Sequence, residues 1–156
     1  MHTEGGMMKQ SEEATAAKHA KFVFLDTAYA YALVNTRDQW HDRAVVWQER
    51  LAKERLSLLS TEFVLMEIAD GLAEVQFRKQ AVAIVNLLRK NPYVEIVPVS
   101  SELFAESFEI YNKRIDKGWG LTDCTSFIVM QRYGVMDALT TDEHFRQAGF
   151  RALLME

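Results

Sequence analysis

Apolar residues follow two alternating rhythms along the chain. Short, nearly continuous runs read as strands: Phe22–Leu25, Leu56–Leu59, Val94–Val97, Asp137–Leu139 and, more weakly, Ala152–Leu154. Between them, apolar positions recur every three or four residues, which predicts helices over about 28–35, 38–54, 61–75, 77–90, 101–116, 122–133 and 142–147. Strand and helix in alternation mark an α/β fold, a central and mostly parallel sheet with helices on both faces. The punctuation agrees. Asn91-Pro92 closes one helix, Ser100 and Ser101 offer caps for the next, and Gly134 and Gly149 follow helical stretches as stops.

Composition changes this picture little. A chain of 156 residues, 49% of them hydrophobic, has enough apolar material for one sizeable core, so a single domain is expected over 21–156. Residues 1–20 are rich in Glu, Gly, Ser, Lys and Ala, and read as a disordered leader. A lone cysteine, Cys124, leaves no internal disulfide to form, and His2, His19, His41 and His144 are too scattered along the sequence to suggest a zinc site. No apolar run approaches the roughly 20 residues of a membrane span, and the N-terminus lacks a signal-type apolar segment. The expectation is a cytoplasmic protein with no membrane partner. A net charge of −4 disfavours holding nucleic acid by bulk electrostatics, so any such contact must use local patches or bound cations.

Four acids stand where the pattern makes a charge costly. Asp26 ends the strand-like FVFL, at the sheet edge where ligands of parallel sheets bind. Asp123 lies in the first turn of a helix, on the angular sector of Phe127 and Met130. Glu67 is the one charge within FVLMEIA, and Asp142 follows the Asp137–Leu139 strand. Each has a plainer reading: Asp26, Asp123 and Asp142 as helix caps, and Glu67 as part of a solvated acidic face with Asp70 and Glu74. Taken together they suggest a cation site, because clustered carboxylates stay ionised only when positive charge offsets them. Oxygen ligands alone favour Mg2+ or Mn2+.

The stretches FLDTAYAYAL, EFVLMEIADGL and GLTDCTSFIVMQRYGVMDALTTDEHFRQAGF, in that order, resemble the successive motifs of PIN-domain nucleases, the group that includes the VapC toxins of VapBC toxin-antitoxin systems. The resemblance runs from about Lys21 to Leu154. It implies a metal-dependent endoribonuclease that hydrolyses single-stranded RNA, with Asp26, Glu67, Asp123 and Asp142 as its catalytic and metal-binding acids. It also selects Glu67 over Glu62 and Asp70, a choice periodicity leaves open. Water-mediated hydrolysis with Mg2+ or Mn2+ would leave 5′-phosphate and 3′-hydroxyl ends.

A homodimer and a small antitoxin partner are further implications of the resemblance. Tyr29, Tyr31, Trp40 and Trp47 belong either to such a contact surface or to the core. For gripping RNA, Lys113, Arg114 and Lys117 with Trp119 combine cations with a stacking ring; the alternative is a solvated helix face and a packed indole. Two other classes stay open, an RNA-processing nuclease without an antitoxin and a catalytically weak binding module. An aspartyl-phosphate phosphatase is disfavoured, since Ala28 stands where that chemistry needs a second acid.

Overall fold

The computed structural model describes residues 22–156; the leader expected over 1–20 lies outside the described residues. Five parallel strands form one sheet: β1 (Phe22–Leu25), β2 (Ser57–Thr61), β3 (Val94–Val97), β4 (Asp137–Leu139) and β5 (Arg151–Ala152). Seven α-helices connect them: α1 (Thr27–Val34), α2 (His41–Lys53), α3 (Glu62–Gly71), α4 (Val75–Lys90), α5 (Ser101–Lys113), α6 (Leu121–Tyr133) and α7 (Glu143–Gln147).

The strand order is β3-β2-β1-β4-β5. The chain therefore winds outward from β1 through β2 to β3, then returns to the other side of β1 with β4 and continues to β5. The direction reverses between β1 and β4, and in open parallel sheets that reversal opens a crevice beyond the strands' carboxyl ends. Here the Asp26 N–H donates to Leu139 O at 3.3 Å, joining the ends of the two strands.

All four residues of β1 are buried. Side chains of a strand point alternately to opposite faces, so both faces of the sheet centre are covered. The burial of Cys124 through Met130 makes α6 the most enclosed helix. Phe127 of that helix meets Phe145 edge-on at 5.0 Å between ring centroids, and Phe145 in turn lies 6.2 Å from Phe24 of β1. Tyr29 is buried, and Tyr31, Trp40 and Trp47 pack against the core while remaining partly exposed.

The elements depart from the sequence expectations at their edges. β2 runs two residues further than expected, because its polar end is buried with partners: the Ser60 hydroxyl donates to Leu25 O at 2.8 Å, and Thr61 Oγ1 accepts the Val64 N–H at 3.1 Å to cap α3. α2 starts at His41 rather than 38, since the Asp38 carboxylate takes the Trp40 N–H at 2.8 Å and forms a turn instead. α5 stops at Lys113, where Arg114 turns out of helical geometry and pairs with Asp116. The apolar Ala152–Leu154 run divides into the short β5 and a 3-10 turn over Leu153–Met155, with both leucines buried by the turn.

Candidate active site

The ends of β1 and β4 each supply polar groups to the crevice. Asp26 follows β1 in the cap position of α1, with extended backbone at φ −97° and ψ 161°, yet its side chain makes no capping hydrogen bond. The carboxylate instead accepts the Thr140 hydroxyl at 2.7 Å from the end of β4. Burial pushes the Asp26 carboxyl up to about 7, and the negative charges of Asp123 and Glu67 push the same way, against the opposing pull of Thr140 and the Thr27 N–H.

Thr140 bridges two acids. While its hydroxyl donates to Asp26, its oxygen accepts the Asp142 N–H at 3.0 Å. Asp142 does cap its helix: Oδ1 accepts the His144 N–H at 2.9 Å. This geometry brings His144 back onto the acids, with Nδ1 3.1 Å from Asp142 Oδ1 and 3.1 Å from Asp123 Oδ2.

Asp123 is held from a second side. As the third residue of α6, it reaches back to accept the Gly120 N–H at 2.9 Å, the expected capping role. Cap and site function thus coexist in one side chain. Burial raises its pKa and the nearby Asp142 charge adds to this, whereas the hydrogen bonds from Gly120 and His144 oppose it. Glu67 is the exposed member of the set. Its Oε1 accepts the Thr27 hydroxyl, and its backbone carbonyl accepts the Tyr31 hydroxyl at 2.7 Å. Tyr31 can approach α3 this closely because residue 71 is glycine: a Cβ there would lie 1.8 Å from the tyrosine oxygen. Glu62 is turned away, accepting the Val99 N–H at 2.8 Å.

The four expected acids are therefore linked around one crevice, but not equally tightly. Among the described residues, Asp123, Asp142 and His144 are the group of three acidic, imidazole or thiol donors that lies within 4.8 Å of one another; Asp26 is near enough to Asp123 and Glu67 to feel both charges. None of the four acids pairs with a described lysine or arginine. Crowded carboxylates, one of them buried and none neutralised by a fixed cation, fit a divalent metal.

His144 is the residue that sequence reasoning missed. Its distance along the chain from the other histidines concealed it, although its place two residues after an acidic cap was a usable signal. The RNA-gripping candidates are arranged differently from a free stacking surface. Trp119 is 8% exposed, donates from Nε1 to Gln147 at 3.1 Å and meets Phe127 edge-on. Arg114 covers its ring at 4.8 Å while pairing with Asp116, and Lys113 pairs with Glu109. Lys117 is half-buried. The packed-indole alternative thus describes Trp119 in this conformation.

A doubly flanked β1 ending in an acid, with further acids from α3, α6 and the β4–α7 junction, defines a nuclease of the PIN type. Residues 23–151 match the PIN domain family, and the chain belongs to it. The chain is a homologue of the 23S rRNA-specific endonuclease VapC20 of Mycobacterium tuberculosis, being 28% identical over 129 residues that cover 82% of this chain and 95% of that protein. The crystal structure of VapC20, a sarcin-ricin loop cleaving toxin, matches with a TM-score of 0.72 at 27% identity, covering 83% of this chain and 97% of that one. FitAcB from Neisseria gonorrhoeae shares the fold, with a TM-score of 0.59 at 18% identity over 83% of this chain and 97% of that one.

Proposed function

We propose that this protein is a divalent-metal-dependent endoribonuclease, the toxin of a toxin-antitoxin pair, which cleaves an exposed single-stranded loop of RNA. The observation that carries the reading is the linkage of Asp26, Asp123 and Asp142 through Thr140 and His144 at the sheet's reversal point. Asp26, Glu67, Asp123 and Asp142 would hold Mg2+ or Mn2+. A cation held there would lower the pKa of the attacking water and offset the charge that builds on the scissile phosphate and its leaving 3′-oxygen.

The chain's own groups set the geometry. Gly120 fixes Asp123, the α7 cap fixes Asp142, and Thr140 holds Asp26 between them. Glu67 faces solvent on the exposed side, where RNA and the attacking water arrive, and orients that water for in-line attack. Products carry 5′-phosphate and 3′-hydroxyl. A pocket of about 360 Å³ bounded by Lys113, Arg114, Trp119, Gln131 and Gln147 supports this region as the place where the RNA backbone is gripped, by cations and amides and not by stacking on the covered Trp119 ring. Lys117 belongs to the same segment.

Two surface features support the partners we propose. A cleft of about 960 Å³ between α1, α2 and α4, lined by Tyr29, Leu33, Leu51, Ile84 and Leu87, suits the apolar side chains of an antitoxin. Phe104, Phe108 and Tyr111 stack in an exposed stripe along α5, and we assign that stripe to a homodimer contact. No helix among the described residues is long and apolar enough to cross a membrane. Residence in the cytoplasm, with its RNA, completes the proposal.

The test is cleavage of two labelled RNAs, a hairpin bearing the 23S sarcin-ricin loop and an unstructured strand, in Mg2+ or Mn2+. Asp26→Asn and Asp123→Asn should each reduce cleavage at least ~100-fold, and EDTA should abolish it. Cleavage that survives both substitutions and the chelator would overturn the assignment. Cutting of the unstructured strand alone would retain the chemistry and remove the loop as target.

A further inference from the structure

We propose that His144 is a nitrogen ligand of the divalent cation held by Asp123 and Asp142, and that it biases this site towards Mn2+ over Mg2+. The proposal rests on the metal-dependent reading above and adds a donor that reading does not contain.

Two elements bring the donors together. Asp123 comes from α6, Asp142 from the cap of α7, and His144 from the first turn of α7. Nδ1 stands 3.1 Å from one oxygen of each carboxylate. Two ligands at right angles on an octahedral ion with bonds of about 2.1 Å are separated by about 3.0 Å, so both short edges match an octahedral corner. Nε2 lies on the side of Gly118, where a Cβ would stand 3.8 Å from it. All three side chains are partly exposed, at 31% for His144, 17% for Asp123 and 33% for Asp142, which leaves solvent access for an entering ion.

The donor set then decides the metal. Mg2+ takes oxygen ligands and keeps its waters, whereas imidazole suits transition ions, of which Mn2+ also accepts carboxylates readily. Replacing one oxygen by imidazole nitrogen weakens Mg2+ more than Mn2+. A His144 that merely oriented Asp123 and Asp142 would alter affinity for both ions together, since loss of an outer partner costs about 10–100-fold whichever ion is bound.

Pulsed EPR of Mn2+ bound to the chelator-stripped full chain separates these cases, with His144→Gln and His144→Ala as variants and far-UV circular dichroism to verify their fold. The wild type should show nitrogen-14 coupling from a directly bonded imidazole, and both variants should lose it. Mn2+ affinity should fall about 10-fold or more in the variants, and Mg2+ affinity by less than about 3-fold. Bound Mn2+ without nitrogen coupling, or coupling that persists in both folded variants, would overturn the ligand role while leaving the acidic metal site intact. Failure of the folded wild type to bind Mn2+ at millimolar concentration would overturn both readings.

Discussion

Substituting Asp26 by Asn tests the electrostatic account most directly, because it keeps the shape and removes the charge. The carboxyl is 6% exposed, and burial holds its pKa at about 7 in place of an ordinary 3.8. Between those values the folded chain retains a proton that the unfolded chain has released. Stability in the absence of metal must therefore fall as pH rises from about 4 to about 7, and stay low above that. At about 1.4 kcal/mol per unit, the gap corresponds to a ceiling of roughly 4 kcal/mol. Asn cannot ionise, and its amide oxygen still accepts the Thr140 hydroxyl. In EDTA, Asp26→Asn should thus exceed the wild type in stability by about 2–4 kcal/mol near pH 8, with the advantage shrinking towards pH 4. Urea unfolding followed by circular dichroism across that range measures the difference. The same variant should be inactive as a nuclease, so stability and activity move in opposite directions. An advantage that does not grow with pH would refute the claim that burial of an ionised Asp26 is what the metal-free fold tolerates at a cost.

Three other perturbations reach different parts of the structure. Thr140→Val removes one hydroxyl that serves both Asp26 and Asp142; it should cost about 1–3 kcal/mol in urea unfolding and move the Asp26 pKa further upward, seen by carboxyl NMR titration. Gly71→Ala should displace Tyr31 from the Glu67 carbonyl and cost about 1 kcal/mol or more, and combining it with Tyr31→Phe should add less than the sum of the two single changes. Phe145→Ala empties the space between Phe24 and Phe127 and should lower stability by about 3–5 kcal/mol in the same unfolding assay.

How much the sequence disclosed depends on whether a residue's environment is set locally. The β1 and β3 strands, the helix count and the α/β class follow from periodicity, which is a local property. Buried polar residues defeated it: Ser60 and Thr61 extend β2 because Leu25 O and the α3 N-terminus satisfy them, and neither partner is visible from their own neighbours. Leu153 and Leu154 show the reverse failure, since an apolar pair needs burial and not any particular backbone, and a 3-10 turn supplied it. Among the acids, Asp26 and Asp142 were identifiable as charges at strand-to-helix junctions, and Asp123 as a charge in the first turn of a helix on its apolar face. The capping alternative proved informative for two of them: Asp123 and Asp142 do make cap hydrogen bonds, whereas Asp26 does not. Glu67 needed the family resemblance, because its relation to Thr27 spans 40 residues and has no signature in helix spacing.

His144 was concealed for a related reason, and its position ties the site to the core. α7 has five residues, too few to be stable as an isolated helix. Two features hold it: the Asp142 cap at its start and the fully buried Phe145, set between rings of β1 and α6. His144 lies between those two anchors in sequence, so its ring is directed by both. The cap carboxylate that stabilises the helix also supplies one of the two oxygens 3.1 Å from the imidazole, and the aromatic neighbour that buries the helix anchors the backbone from which that imidazole projects. Local helix chemistry and long-range aromatic packing therefore determine the same three-donor geometry. A loosened core should widen the cluster even when every donor is still present.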